Sequence, residues 1–256
     1  MSITLTSEAR VVAVVAHPDD DALMFYGTLR TWRSTGAKVT VLVATNGANG
    51  VSVADHAAGI RLTDTQRLEE IRHSYGDTGI EVECLGFEDG ALDADRALVS
   101  RIEAALTRLG CTVLLTHALH TGSDHQDHLA VARAALNAAA RVPTCTTILH
   151  GKPHAPHHRF TTSVLVDITP FIADKVKALQ AHQSQAGRYY LTEDYTRRRA
   201  AGAGWTLLPA QTDEGRYFEE LAPSLLLIGR PADPDRQKNR SPVRARPRSP
   251  WIRPIS

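Results

Sequence analysis

Short apolar runs alternate with charged, amphipathic stretches along most of this chain. Val11–Ala16 is an unbroken Val/Ala run with no polar helical face. That pattern predicts a strand buried on both sides, as in a parallel sheet. Lys38–Thr45, Glu81–Phe87, Cys111–Thr116, Thr146–His150, Ser163–Ile168 and Ser224–Gly229 read as further strands. Between them, Leu23, Tyr26, Leu29 and Trp32 recur at three-residue steps, and the helix they predict over 22–34 stops before Gly36. Thr63–Tyr75 is charged and helix-like, and Arg96–Leu109 is a helix that ends at Gly110. From His125, the residues Leu129, Ala132, Leu136 and Ala139 share a helical face until Pro143 closes it. Thr169–Pro170 opens a helix with proline at its first position, running to about Ser184. Ala48–Ile60 is Gly- and Ala-rich without a period and reads as a loop. The alternation predicts an α/β fold of Rossmann-like type: a mostly parallel sheet, right-handed crossovers, and helices on both faces.

Composition bounds the rest. The 256 residues are 43% hydrophobic, with 29 Lys+Arg against 28 Asp+Glu and a formal charge of +1. One large domain over 1–230 fits this, and the charge balance gives no reason to invoke nucleic acid. From Pro231 to Ser256 the chain is rich in Pro, Arg and Ser with almost nothing to bury, so a basic, disordered tail is expected. Cys84, Cys111 and Cys145 are odd in number and far apart, which suits buried free thiols better than a disulfide framework. No apolar run is long enough to span a bilayer, and the N-terminus is a poor signal peptide. A soluble, cytoplasmic protein is expected, with its oligomeric state open.

The chemistry sits in two segments far apart in sequence. His17-Pro-Asp19-Asp20-Asp21 follows the first strand, where aspartates would cap a helix and meet its positive end. His125-Gln-Asp127-His128 follows the fourth strand, and His125 and His128 at i and i+3 would share a face. Each segment alone has an ordinary explanation: a capped turn for the first, a chance HxxH on a surface helix for the second. Both fall at C-terminal ends of strands, the ligand-binding edge of an open α/β sheet. Together they predict a divalent metal site, and this mixture of imidazole and carboxylate suits zinc, or another divalent transition metal.

AHPDDD at 16–21 and SDHQDH at 123–128 resemble the two signature motifs of the LmbE/PIG-L family of zinc-dependent N-acetylglucosamine deacetylases. Arg67-Leu-Glu-Glu-Ile, Gly86-Phe-Glu-Asp89-Gly, and Asp167-Ile-Thr-Pro with KVKALQAHQSQ at 175–185 are similar to further family segments, in the family's order over roughly 10–230. The resemblance implies a hydrolase that removes an acetyl or small acyl group from a glucosamine-type sugar conjugate. It implies His17, Asp20 and His128 as zinc ligands, and Asp19 as general base toward the attacking water. It also implies His125 as the group that polarises or protonates, Asp127 as its orienting partner, and Arg67 and Asp89 as holders of sugar hydroxyls. Three positions depart from the family pattern: Asp21 stands for a usual glutamate, the loop reads TNGANG without its usual acid, and Ser123 stands where some relatives carry tyrosine.

Other residues weigh less. His150, His154, His157 and His158 read as a solvated, Pro-rich loop ahead of a second metal site, and His182 as a helix-end or rim histidine. Tyr189, Tyr190 and Trp205 suit a sugar platform or ordinary packing equally. A nucleotide-binding or group-transfer Rossmann protein is the rival, yet the first strand lacks the GxGxxG turn. A metal protein without catalysis is the third reading, and the spare carboxylate of Asp19 speaks against a closed structural site.

Overall fold

The computed structural model describes residues 7–51, 53–119, 125–154, 160–210 and 215–227. The expected tail over 231–256 lies outside the described residues, as do Ser123, His157 and His158. Seven strands form one sheet in the order β3-β2-β1-β4-β5-β7-β6. β1 (Arg10–Val15), β2 (Lys38–Thr45), β3 (Glu81–Phe87), β4 (Val113–His117) and β5 (Thr147–Gly151) are parallel. β7 (Phe218–Leu226) runs antiparallel between β5 and β6 (Val164–Asp167).

The unbroken apolar run of β1 has a direct explanation. Val12, Val14 and Ala16 pack toward α4 (Arg96–Leu109) and α5 (Gln126–Ala139). Val11, Ala13 and Val15 pack toward α1 (Asp20–Ser34), α3 (Gln66–Tyr75) and α6 (Ile172–Gln180) on the other face. Both faces of a central parallel strand are covered, so neither can be polar. From β1 the chain builds β2 and β3 on one side, then returns to place β4 and β5 on the other. The C-terminal ends of β1 and β4 therefore flank the switch point where such sheets bind ligands.

Three expectations about elements change, and one helix is new. The stretch read as a loop over 48–60 contains α2 (Val53–Ala57). The helix expected from 169 to 184 divides into a 3₁₀ turn at Thr169–Phe171, then α6, then a second 3₁₀ turn at Gln183–Gln185. The last strand begins at Phe218, not Ser224, and is antiparallel to its neighbours. Glu219, Glu220 and Pro223 break its apolar run, and Pro223 sits at the register shift opposite Leu149, where a missing N–H is tolerated. α7 (Glu193–Leu207) has little hydrophobic period. Its start is fixed by Thr192, which accepts from the Tyr195 N–H, and by i,i+4 ion pairs of Glu193 with Arg197 and Asp194 with Arg198, each 2.7 Å.

One buried ion pair ties three elements together. Glu219 on β7 accepts from the N–H groups of Gly27 (2.9 Å) and Thr28 (2.7 Å), midway along α1. Lys175 on α6 donates to Glu219 Oε1 at 2.5 Å and to the Leu23 carbonyl at 2.9 Å. Leu23 and Gly27 are the residues that an i→i−4 helical bond would join. The pair thus clamps the middle of α1, the helix whose first residue is Asp20. Cys111 and Cys145 are buried free thiols and Cys84 is half-buried. Among the described residues no helix is long and apolar enough to cross a membrane.

Candidate active site

β1 hands the chain to a tight turn in which the His17 carbonyl accepts from the N–H groups of Asp19 (2.9 Å) and Asp20 (3.3 Å). Asp20 Oδ2 returns a contact by accepting from the His17 N–H at 2.8 Å. This closed turn fixes His17 and Asp20 relative to one another through contacts local in sequence. Asp19 occupies the position before α1, where the sequence predicts a cap. Its carboxylate makes no capping bond there. It pairs instead with Arg67 Nη2 at 2.9 Å, both groups buried, because a full guanidinium charge outcompetes the partial charge of a helix end.

The second segment enters from α5. His125 is the residue before the helix, and its Nδ1 accepts from the Asp127 N–H at 3.3 Å. The neutral ring then carries its proton on Nε2. The His125 and His128 rings stack with centroids 4.7 Å apart. Asp127, expected to orient His125, meets it through its backbone N–H, and its carboxylate lies elsewhere. That carboxylate accepts from the N–H groups of Gly90 (2.8 Å) and Leu92 (3.1 Å) and meets His17 Nε2 at 3.2 Å, so it turns toward β1 and away from its own neighbour. Asp89 Oδ1 also lies 3.2 Å from His17 Nε2, and its Oδ2 accepts from the Asn49 N–H.

Two carboxylates at Nε2 leave the Nδ1 lone pair of His17 facing inward. Nδ1 lies 3.2 Å from His128 Nε2 and 3.2 Å from Asp20 Oδ2, and Asp20 Oδ1 lies 3.2 Å from His128 Nε2. Ligand atoms of a tetrahedral ion at about 2.0–2.1 Å stand roughly 3.3–3.4 Å apart. His17, Asp20 and His128 therefore fit one divalent ion, with carboxylates behind a ligating imidazole as such sites use them. The electrostatics agree. Burial works against a charged His17, yet the carboxylates of Asp127, Asp20 and Asp89 outweigh it and hold its pKa well above the usual range, so positive charge is favoured at this point. Burial likewise opposes ionised Asp20, but His128 and His117 hold its pKa well below the carboxylate norm.

His117, at the end of β4, belongs to this cluster and was not singled out in the sequence, where HALH reads as a polar loop. Burial, then the charge of His128, pushes its pKa down to about 4. The neutral ring accepts from the Ala16 N–H through Nε2 at 3.0 Å and packs its ring 4.2 Å from that of His128. His150, expected to be solvated, is buried: its Nδ1 meets the His117 carbonyl at 2.7 Å and its Nε2 the Ser224 hydroxyl at 2.5 Å. Asp21, in the place of the family's glutamate, turns away from the cluster and accepts from the Tyr75 hydroxyl, and burial raises its pKa to about 7. His182 is fully buried with neither ring nitrogen hydrogen-bonded among the described residues, so it is no rim group.

The TNGANG loop seats Arg67. Its Nη1 donates to the Gly47 carbonyl at 3.1 Å, and a Cβ at Gly50 would come within 2.4 Å of that nitrogen. The two glycines let the backbone close around the guanidinium. Over these groups opens a cavity of about 330 Å³, lined by His17, Asp19, Asp20, Arg67, Asp89, His125 and His128, and also by Arg188, His154 and Tyr190. Trp205 lies exposed on α7 and is not among the lining residues.

Among solved structures, the fold matches the 4-carboxy-2-hydroxymuconate hydratase GalB of Pseudomonas putida (TM-score 0.73, 20% identity, 88% of this chain and 100% of that one). It also matches the N,N'-diacetylchitobiose deacetylase of Pyrococcus horikoshii (TM-score 0.66, 20% identity, 84% of each chain). One architecture thus carries both a hydratase and a deacetylase, and the fold alone does not choose. In sequence, the chain is 25% identical over 243 residues to a 1D-myo-inositol 2-acetamido-2-deoxy-alpha-D-glucopyranoside deacetylase 1 of Saccharopolyspora erythraea, covering 72% of this chain and 80% of that one. It is 28% identical over 186 residues to the "Probable N-acetyl-alpha-D-glucosaminyl L-malate deacetylase 2" of Bacillus cereus, covering 70% and 84%. The family model "PIG-L: GlcNAc-PI de-N-acetylase" matches residues 12–139, half of the chain and the part that carries both motifs, and the protein belongs to that family.

Proposed function

We propose that this protein hydrolyses the N-acetyl group of a glucosamine-type sugar conjugate, with His17, Asp20 and His128 holding a divalent ion, zinc by the chemistry of the donor set. Such an ion, when bound, lowers the pKa of water to about 7 from roughly 15.7 and polarises a carbonyl. Asp19 stands outside the donor set, in the same cavity, with its carboxylate aimed by Arg67. It takes the proton of the water whose oxygen attacks the amide carbon. His125 offers its Nε2–H to the oxygen that gains charge, and the proton taken up by Asp19 passes to the nitrogen as the C–N bond breaks, leaving acetate and a free amine and restoring the Asp19 carboxylate. Asp127 and Asp89 hold the His17 ring in the tautomer that presents Nδ1. Arg67 and Asp89 also line the cavity where sugar hydroxyls would lie.

The observation that carries this reading is the set of three donor residues, His17, Asp20 and His128, each with a ligand atom 3.2 Å from each of the other two, beside a buried carboxylate that is not one of them. The nucleotide-binding rival meets a physical obstacle at the same place. Asp19, Asp20 and Asp21 occupy the start of α1, where a pyrophosphate would need open N–H groups and positive potential. The test is amine release from α-linked N-acetylglucosamine conjugates, read with and without a chelator. Release that stops with chelator and returns with zinc is the expected result. Metal-replete protein that releases no amine from any such conjugate would overturn the reading.

A further inference from the structure

Two guanidinium groups line the cavity, on either side of Gly50, and only one has a partner of opposite charge. Arg67 is spent on Asp19. Arg188 donates Nη2–H to the Gly50 carbonyl at 3.1 Å and Nη1–H to the Tyr190 hydroxyl at 3.1 Å, both neutral acceptors. Among the described residues it forms no ion pair, so three of its five N–H donors are uncommitted. Its position is held firmly. Gln185 Nε2 donates to the same Gly50 carbonyl at 3.0 Å, and Ser184, one residue earlier, docks on Glu70 of α3 through its N–H (2.7 Å) and hydroxyl (2.6 Å). The segment that carries Arg188 is therefore anchored to the helix that carries Arg67. Beside it, Tyr190 packs its ring 4.3 Å from that of His154, the two planes tilted by 36°, and both line the cavity.

We infer that Arg188 binds an anionic oxyacid group, carboxylate or phosphate, on the part of the substrate beyond the N-acetylglucosamine ring. This rests on the proposed function, which places the acetamide at the His/Asp cluster and leaves the outer cavity to the aglycone. A half-buried, pre-positioned guanidinium with free donors in a fixed fork matches an oxyanion better than a neutral hydroxyl. Arg188 is then a specificity residue. It lies apart from the bond being broken, so its contribution appears in KM more than in kcat.

The experiment compares three α-N-acetylglucosamine conjugates: the malyl conjugate, the neutral myo-inositol conjugate, and the same inositol conjugate bearing one phosphate. The wild type is expected to favour at least one anionic conjugate over the neutral one by about tenfold or more in kcat/KM, the scale of one charge-assisted contact. The malyl and phosphate arms show which oxyacid is preferred. Arg188→Gln is expected to bring the ratio near one, and Arg188→Lys to keep part of it. Raised salt should shrink the ratio in the wild type. Equal kcat/KM for charged and neutral conjugates, or a ratio that survives Arg188→Gln, overturns the inference. Kd values for the same conjugates on Asp19→Asn protein give the ratio independently of turnover. If no conjugate is hydrolysed, the deacetylase reading fails, while the Kd ratio still decides the role of Arg188.

Discussion

The Arg67 guanidinium meets Asp19 Oδ1 at 2.9 Å with both side chains buried along the cavity, and this pair stands beside the donor set, not within it. Asp19→Asn keeps the shape and removes the proton acceptor. It is expected to retain bound metal and to lose about 10²- to 10⁴-fold in kcat, the range for removing a general base. Arg67→Met should also keep the metal and lose activity, because the carboxylate is no longer aimed. Metal content by elemental analysis alongside amine release checks both, and a fully active Asp19→Asn protein would remove Asp19 as the base.

Gly50 offers a milder perturbation of the same pair. A Cβ there would stand 2.4 Å from Arg67 Nη1 and 3.1 Å from the Gly47 carbonyl oxygen. The guanidinium is the end of a flexible side chain, so it can yield at little cost to folding. Yielding, however, takes it away from Asp19. Gly50→Ala is expected to leave the urea midpoint nearly unchanged while kcat/KM falls about tenfold or more, as a displacement of about 1 Å at catalytic groups does. A loss of stability with activity intact would show that the glycine serves packing alone.

Asp127 works through His17. Its carboxylate is fixed by the Gly90 and Leu92 N–H groups and lies 3.2 Å from His17 Nε2. Asp127→Asn keeps an acceptor for the loop but weakens the hold on the ring proton. Metal affinity, measured by competition with a chelating dye, is expected to fall about 10- to 100-fold, the usual cost of losing a partner behind a ligand. His17→Ala, Asp20→Ala and His128→Ala should lose the metal outright, and full metal content in all three would refute the ligand assignment.

The centre of the parallel half of the sheet, β1 and β2, was legible because burial on both faces forces unbroken apolar runs, and Lys38–Thr45, Glu81–Phe87 and Arg96–Leu109 begin and end where the sequence predicts. The antiparallel end was not. Glu219 is buried in β7 only because Lys175, forty-four residues earlier in sequence, neutralises it, and no local pattern announces that pairing. The site divides in the same way. His17 and His128 stand in motifs with recognisable spacing, and the fold brings them to 3.2 Å. His117 and Arg188 carry no motif. The first is defined by lying one strand away from Ala16, the second by a carbonyl on a distant loop. A one-residue difference in the end of β4 also separated a polar loop residue from a buried imidazole, since a strand's last position decides which face it meets.

The clamp on α1 should be costly to break. Lys175 and Glu219 are about 4–5% exposed. Lys175→Met leaves the Glu219 carboxylate buried with only the Gly27 and Thr28 N–H groups, and leaves the Leu23 carbonyl without its donor. An orphaned buried charge costs roughly 3–5 kcal/mol, so a large drop in urea midpoint at fixed zinc concentration is expected. A change below about 1 kcal/mol, the scale of an exposed pair, would show that water reaches this site.

His182 supplies a pH dependence of known sign. It is 1% exposed, neither ring nitrogen is hydrogen-bonded among the described residues, and burial lowers its pKa below the ordinary 6.5. The unfolded chain therefore binds a proton in a range where the folded chain does not, and stability rises with pH there. The contribution is complete above pH 6.5 and is lost as pH falls below it toward the folded pKa. Other buried imidazoles, His117 and His150 among them, add to the same acid limb. The measurement is thus a double difference: urea stability at pH 7.5 and 5.5, in the wild type and in His182→Leu. The variant should lose less stability on acidification than the wild type. Equal losses in the two proteins would mean that His182 takes up its proton in the folded state as readily as in the unfolded one.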